Sequence, residues 1–152
     1  MLDQIDRKII KTLQQNGKIT NLEMAAKINL SPTACLNRVK KLEKSGIISG
    51  YKAVIEPAKA GYSICAMVLL RISNNTKKAA AEFADALNQT QAITECHMTA
   101  GKIDYVAKVY ARDFQHYETI VQDELSNLPH IASMETLFLF SNLIPDRVFD
   151  IQ

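Results

Sequence analysis

Between Ser31 and Lys44 the chain carries hydroxyl, amide and cationic side chains on a segment bounded by helix signals. Ser31 stands where an N-cap hydroxyl belongs, Pro32 takes the first helical position, and Gly46 closes the pattern. At about 100° per residue, Cys35, Leu36, Val39 and Leu42 gather on one side. Thr33, Ala34, Asn37, Lys41 and Lys44 fall on the other, with Arg38 and Lys40 flanking. Lysine and arginine neutralise phosphates, while Asn37 and Thr33 can hydrogen-bond base edges. Such a face is suited to binding a polyanion. The plain alternative is a solvated cationic face on a helical bundle.

The elements ahead of this segment decide between the two readings. Asp3 is placed to cap a first helix, with Asp6 in its acidic first turn and Leu2, Ile5, Ile9 and Leu13 at helical spacing; Asn16-Gly17 ends it. Thr20 and Glu23 form the S/T-x-x-E pattern of a capping box, which opens a short second helix. Leu22, Ala25 and Ala26 give it a small-residue face. Asn29, a residue that tolerates the left-handed region, supplies a tight turn before Ser31. Helix, tight turn and basic helix in this order predict a helix-turn-helix, the second helix facing double-stranded DNA.

Charge points the same way. Residues 1–50 hold nine Lys/Arg against four Asp/Glu, a net of +5, while residues 51–152 hold nine against twelve, a net of −3. A basic head thus precedes an acidic body with another task. The longest uncharged apolar run, Ile64 to Leu70, is far short of a membrane span, and the acidic, amphipathic start does not resemble a signal peptide. Cys35, Cys65 and Cys96 are odd in number and scattered, as reduced cysteines in a reducing compartment are. The expectation is a cytoplasmic protein with no membrane partner.

The body has a regular order. Residues 47–57 alternate like a strand leaving the head, and 57–61 read as a linker. "YSICAMVLLRIS" predicts a strand, and Asn74-Asn75-Thr76 turns into a helix carrying Ala80, Phe83, Ala84 and Leu87. "AITECHMTA" and "DYVAKVYA" predict a hairpin about Gly101-Lys102. Asp113 caps a helix with Phe114, Tyr117, Ile120, Val121 and Leu125 inward, and "IASMETLFLF" predicts the last strand after Pro129. Strand, helix, strand, strand, helix, strand is the ferredoxin-like βαββαβ order. The fold class is therefore α+β: a three-helix, winged-helix-like helix-turn-helix head over 1–50, strand and linker over 51–61, and a ferredoxin-like body with an antiparallel sheet over 62–152. Helices on one sheet face leave the other apolar face to be covered, so at least a dimer is expected.

Nearly the whole chain, the head from Leu2 to Ala53 and the βαββαβ body after it, resembles the leucine-responsive/asparagine-operon (Lrp/AsnC) regulator family. The resemblance rests on Leu2-Asp3 and Asp6, Leu30-Ser31-Pro32, Arg38 to Glu43, Gly46-Ile47-Ile48, Gly50-Tyr51, and Gly101 with Asp104 in "TAGKIDY". It implies a bacterial or archaeal transcription regulator whose dimers assemble into tetramers, octamers or helical arrays. It also implies a small amino-acid effector bound between dimers near the Gly-x-x-Asp hairpin. By position the effector residues would be Cys96, Thr99, Gly101, Lys102 and Asp104, with Thr136 on the last strand. On the DNA side, Thr33, Ala34, Asn37, Arg38 and Lys41 would lie nearest the bases, with Ser31, Lys40 and Lys44 nearer phosphates. Ile103 stands where the family often has an aromatic, and Asn37 where it often has arginine.

An enzyme is the first rival. Cys96 and His97 are strand neighbours and point to opposite faces. His97, His116 and His130 lack metal-ligand spacing, and no nucleophile elbow, P-loop or dinucleotide fingerprint is present. No cofactor or metal is expected. Two further rivals are an architectural DNA-binding protein indifferent to small molecules, and an assembly module whose head binds no DNA.

Overall fold

A computed structural model describes residues 2–74 and 76–144. The chain divides into two compact units that meet in sequence at Val54 and Ile55.

The first unit is three helices, α1 (Gln4–Gln15), α2 (Asn21–Ile28) and α3 (Pro32–Lys44). Each starts on a side-chain cap. The Asp3 carboxylate accepts the Asp6 N–H at 2.8 Å while the Asp6 carboxylate accepts the Asp3 N–H at 3.2 Å, so α1 opens on a reciprocal box. Thr20 and Glu23 repeat that arrangement for α2, at 3.2 and 2.9 Å. Ser31 Oγ accepts the Ala34 N–H of α3 at 3.2 Å, with Pro32 in the first turn. Asn29 takes the left-handed conformation at φ 58°, and the Leu30 N–H returns to the Ala25 carbonyl. At the far end of α3, Gly46 (φ 74°) donates to the Glu43 carbonyl and Ile47 to that of Leu42, the paired bonds of a Schellman stop.

Ile9, Ile10, Met24, Ala25, Ile28, Cys35 and Leu42 form the core of this unit. The expected α2 face is corrected here. Ala25 is buried, but Leu22 is 68% exposed and Ala26 is also exposed. Met24 and Ile28 turn inward with Ala25 instead, where they pack on Ile9, Ile10, Cys35 and Leu42. The strand expected over 47–57 is also absent: among the described residues no strand pairs with that stretch, and an unpartnered segment has no ladder to join.

The second unit runs β1 (Ile64–Ile72), α4 (Lys77–Gln89), β2 (Ile93–Met98), β3 (Tyr105–Ala111), α5 (Phe114–Asp123) and β4 (Ile131–Leu139). The sheet is antiparallel in the order β2-β3-β1-β4, the ferredoxin-like arrangement. Ala66, Val68, Leu70 and Ile72 of β1, with Ala107, Val109 and Ala111 of β3, point into a core shared with Phe83, Tyr117, Ile120, Leu125 and Leu128. Phe83 is fully buried and packs on Tyr105 at 4.7 Å between ring centroids. Ala84 is exposed and Ala79 takes its place; Phe114 is 65% exposed, its ring edge-on to Phe138.

Alternation sends Cys65, Met67 and Leu69 of β1, Val106 and Tyr110 of β3, and Leu137 and Leu139 of β4 to the other sheet face. Among the described residues, α4 and α5 pack on the core face instead, through Phe83, Tyr117 and Ile120. Leu137 and Leu139 are 45% and 44% exposed.

Candidate DNA-reading helix and effector hairpin

The turn between α2 and α3 is held at three points. Asn29 supplies the left-handed step, Leu30 the backbone return, and the Asn21 amide donates to the Pro32 carbonyl at 2.8 Å. That last bond ties the start of α2 to the start of α3. On α3, Thr33, Asn37, Lys40, Lys41 and Lys44 are exposed along one stripe, Ala34 is half-buried within it, and Ser31 is exposed at its head. Lys40, Lys41 and Lys44 have no ion pair among the described residues, so three cations and an amide stand free on one face. Leu36, expected in the core, is 40% exposed and lines a shallow cleft of about 160 Å³ with Leu13, Met24, Val39 and Tyr51.

Arg38 stands apart from the stripe. Its Nη1 donates to the carboxylates of both Asp3 and Asp6, the latter at 2.9 Å. The Asp6 side chain is 8% exposed and that of Arg38 34%. The expectation took Arg38 as a group near the bases; in the structure it joins α3 to the first turn of α1. Contacts 32 and 35 residues apart leave no local spacing to read, though two acids at one helix start and a flanking arginine on another are the trace they leave.

The Asp6 N–H and then the Arg38 guanidinium hold the Asp3 carboxyl below its ordinary value of 3.8. A depressed carboxyl contributes stability that is present above the ordinary value and lost as pH falls through the folded one. The first unit is therefore expected to lose thermal stability as pH falls below about 4. Asp3→Asn should remove part of that dependence; an unchanged dependence on pH would count against it.

The hairpin between β2 and β3 is internally organised. Gly101 has φ 149°, and Lys102 is exposed at the tip. The Thr99 N–H donates to the Asp104 carbonyl at 2.9 Å, and the Thr99 hydroxyl to the Ile103 carbonyl. Asp104 is fastened to β1: its N–H donates to the Leu70 carbonyl at 3.0 Å, and its Oδ2 accepts the Ile72 N–H at 2.9 Å. One carboxylate oxygen thus closes the end of a strand.

Cys96 lies on the helix side of β2, against the core, where burial pushes its thiol up. It lines a groove of about 410 Å³ between α4 and β2, beside Leu87, Asn88, Met98 and Tyr105. Its neighbour His97 faces the opposite side, with Glu95 at 2.5 Å. Thr136 is also on the helix side, sharing a hydrogen bond of 2.6 Å with the Tyr117 hydroxyl. Cys96 and Thr136 belong to opposite edge strands, three strand spacings or about 14 Å apart. Thr99, Gly101, Lys102 and Asp104 are therefore brought together within one protomer, and Thr136 is not. Among the described residues no cluster of His, Cys, Asp and Glu is arranged to hold a metal, and no helix is long and apolar enough to cross a membrane.

Comparison with known proteins matches two families, one after the other along the chain. A winged helix-turn-helix DNA-binding family matches residues 2–49, and the Lrp/AsnC ligand binding domain family matches residues 65–149. The leucine-responsive regulatory protein of Haemophilus influenzae is 37% identical over 135 residues, 89% of this chain and 81% of that protein. The transcriptional regulator AzlB of Bacillus subtilis is 33% identical, covering 93% and 90%. The crystal structure of a Neisseria meningitidis transcriptional regulator in complex with L-Met superposes with a TM-score of 0.90 at 27% identity, covering 100% of this chain and 97% of that one. These relatives are regulators, which sets the enzyme reading aside. With both halves matched in order, the chain belongs to the Lrp/AsnC family of DNA-binding transcriptional regulators.

Proposed function

We propose that α3 lies in the major groove, with Thr33, Ala34, Asn37 and Lys41 toward base edges and Ser31, Lys40 and Lys44 toward phosphates. The observation that carries this is the free stripe on α3: exposed lysines with no ion pair among the described residues, interleaved with an amide and a hydroxyl, on a helix whose start and turn are fastened. Asn37 is the one planar amide on that stripe, and a bidentate amide suits adenine.

The second part of the proposal concerns the hairpin. A small amino acid is the effector, bound where two dimers meet, with the exposed backbone at Gly101 receiving its carboxylate and the remaining Asp104 oxygen its ammonium. Ile103, rather than an aromatic, would border its side chain. The groove beside Cys96 offers apolar room from Leu87, Met98 and Tyr105. The L-Met complex of the Neisseria relative makes methionine the first ligand to try. Effector bound between dimers changes assembly, and assembly changes which operators can be bridged.

The protein also acts, on this reading, as a dimer built on the open sheet face, with tetramers, octamers or larger assemblies above it. Residues 51–55 fit that arrangement: Val54 is 92% exposed and Ile55 63%, and pairing with a second copy would give this alternating stretch the ladder it lacks.

The test is a titration of purified protein against a duplex enriched from a randomised library, at fixed salt, with and without a pool of amino acids. The expected result is sequence preference whose affinity moves with the pool, methionine being tested first. Preference blind to every amino acid would overturn the effector half. Absence of any enriched sequence would overturn base reading and leave an architectural role.

A further inference from the structure

We infer that Arg38 is a positioning residue, which sets the rotation of α3 against α1 through Asp3 and Asp6 and leaves base and phosphate contact to its neighbours; this rests on α3 being the DNA-reading helix. Three observations carry it. First, one guanidinium nitrogen serves both carboxylates, so the charge of Arg38 is already matched before DNA arrives. Second, the two acids are fixed in place: each accepts the other's backbone N–H in the box that opens α1. A clasp on such an anchor defines a direction, which a pair of loose surface side chains would not. Third, the Asp6 side chain is nearly closed to solvent. Drawing Arg38 away toward a phosphate would strand a carboxylate that has lost its partner in a poorly hydrated place.

The geometric consequence falls on Asn37. It precedes Arg38 by one residue, so the two side chains leave the helix about 100° apart. Holding Arg38 toward α1 holds Asn37 outward. A release of the clasp lets α3 rotate and takes the amide off the base edge, while the flexible lysines still find phosphates.

This predicts an effect with an unusual sign. Removing an acid beside a DNA-binding face should tighten DNA binding if electrostatics alone decide. Asp6→Asn should instead weaken binding to the enriched duplex by roughly tenfold, the scale of a charge-assisted hydrogen bond. Affinity for a scrambled duplex should hold or rise. Arg38→Gln should lower the ratio of specific to non-specific affinity similarly, with the slope of log affinity on log salt unchanged. Arg38→Lys, which can serve one carboxylate, should fall between.

The measurements are made below the thermal unfolding onset of each variant. A purely stabilising role would scale both affinities by the folded fraction and leave their ratio intact. Tighter specific binding by Asp6→Asn, an unchanged ratio in Arg38→Gln, or a slope reduced by about 0.9 in Arg38→Gln, the mark of a lost phosphate contact, would each overturn the inference. If wild-type protein enriches no sequence, the reading helix itself fails and the clasp inference falls with it. If wild type enriches one and the ratio does not move, only the clasp fails.

Discussion

Leu137→Asp is expected to leave the protein folded and monomeric. Leu137 pairs across the sheet with Met67, and both point away from the helices, beside Leu69, Val106 and Leu139. At 45% exposure Leu137 supports little of the buried core, so an aspartate there remains hydrated in the isolated protomer. In a dimer built on this face the same carboxylate would be desolvated against apolar side chains with no partner, a cost of several kcal/mol. Light scattering should therefore report one chain where the wild type reports at least two. DNA binding should suffer with it, because two linked heads gain about 10²–10⁴-fold over one. Gln115→Asp, on the exposed first turn of α5, is the matched control and should change neither. A dimeric Leu137→Asp protein would place the interface elsewhere.

What was legible in the sequence was local chemistry. The caps at Asp3, Thr20, Ser31 and Asp113, the turn at Asn29 and the stop at Gly46 each depend on residues within a few positions, and each stands where its spacing puts it. The order of strands and helices was legible too, because period-two and helical runs alternate cleanly. Pairings across the chain were not. Nothing local says that Arg38 belongs to Asp3 and Asp6, that Asp104 closes β1 at Ile72, or that Thr136 is taken by Tyr117. Faces of short helices were read imperfectly for a related reason. An eight-residue helix such as α2 has too few turns for its pattern to choose between Leu22 and Met24, and packing chooses. Residues 47–57 failed differently: the alternation is present, but a strand is a property of two segments.

These unread contacts change what the candidate site residues mean. Asp104 has a structural bond to give up before it can serve a ligand with both oxygens, and Thr136 faces the core of its own protomer. Any effector site assembled from them has to use the exposed remainder of the hairpin, Gly101 and Lys102 above all.

Replacing Lys40 and Lys44 together by alanine should have a large effect on DNA affinity. Each phosphate neutralised in duplex DNA contributes a slope of about −0.9 to log affinity against log salt. Loss of two contacts should flatten the slope by about 1.8, which at 0.1 M salt amounts to roughly 60-fold weaker binding. The loss should be the same on enriched and scrambled duplexes, since phosphates carry no sequence. Both lysines are exposed and without ion pairs among the described residues, so the fold should not register the change. Asn37→Ala is the complement. It should leave the slope intact and cost about 1–3 kcal/mol on the enriched duplex alone, confined to one base-pair position. The two variants thus separate charge from reading on a single helix. A flattened slope in Asn37→Ala, or a lysine effect confined to the enriched duplex, would mean that α3 is turned about its axis from the orientation assigned to it. A small effect from both would mean that another surface meets the DNA.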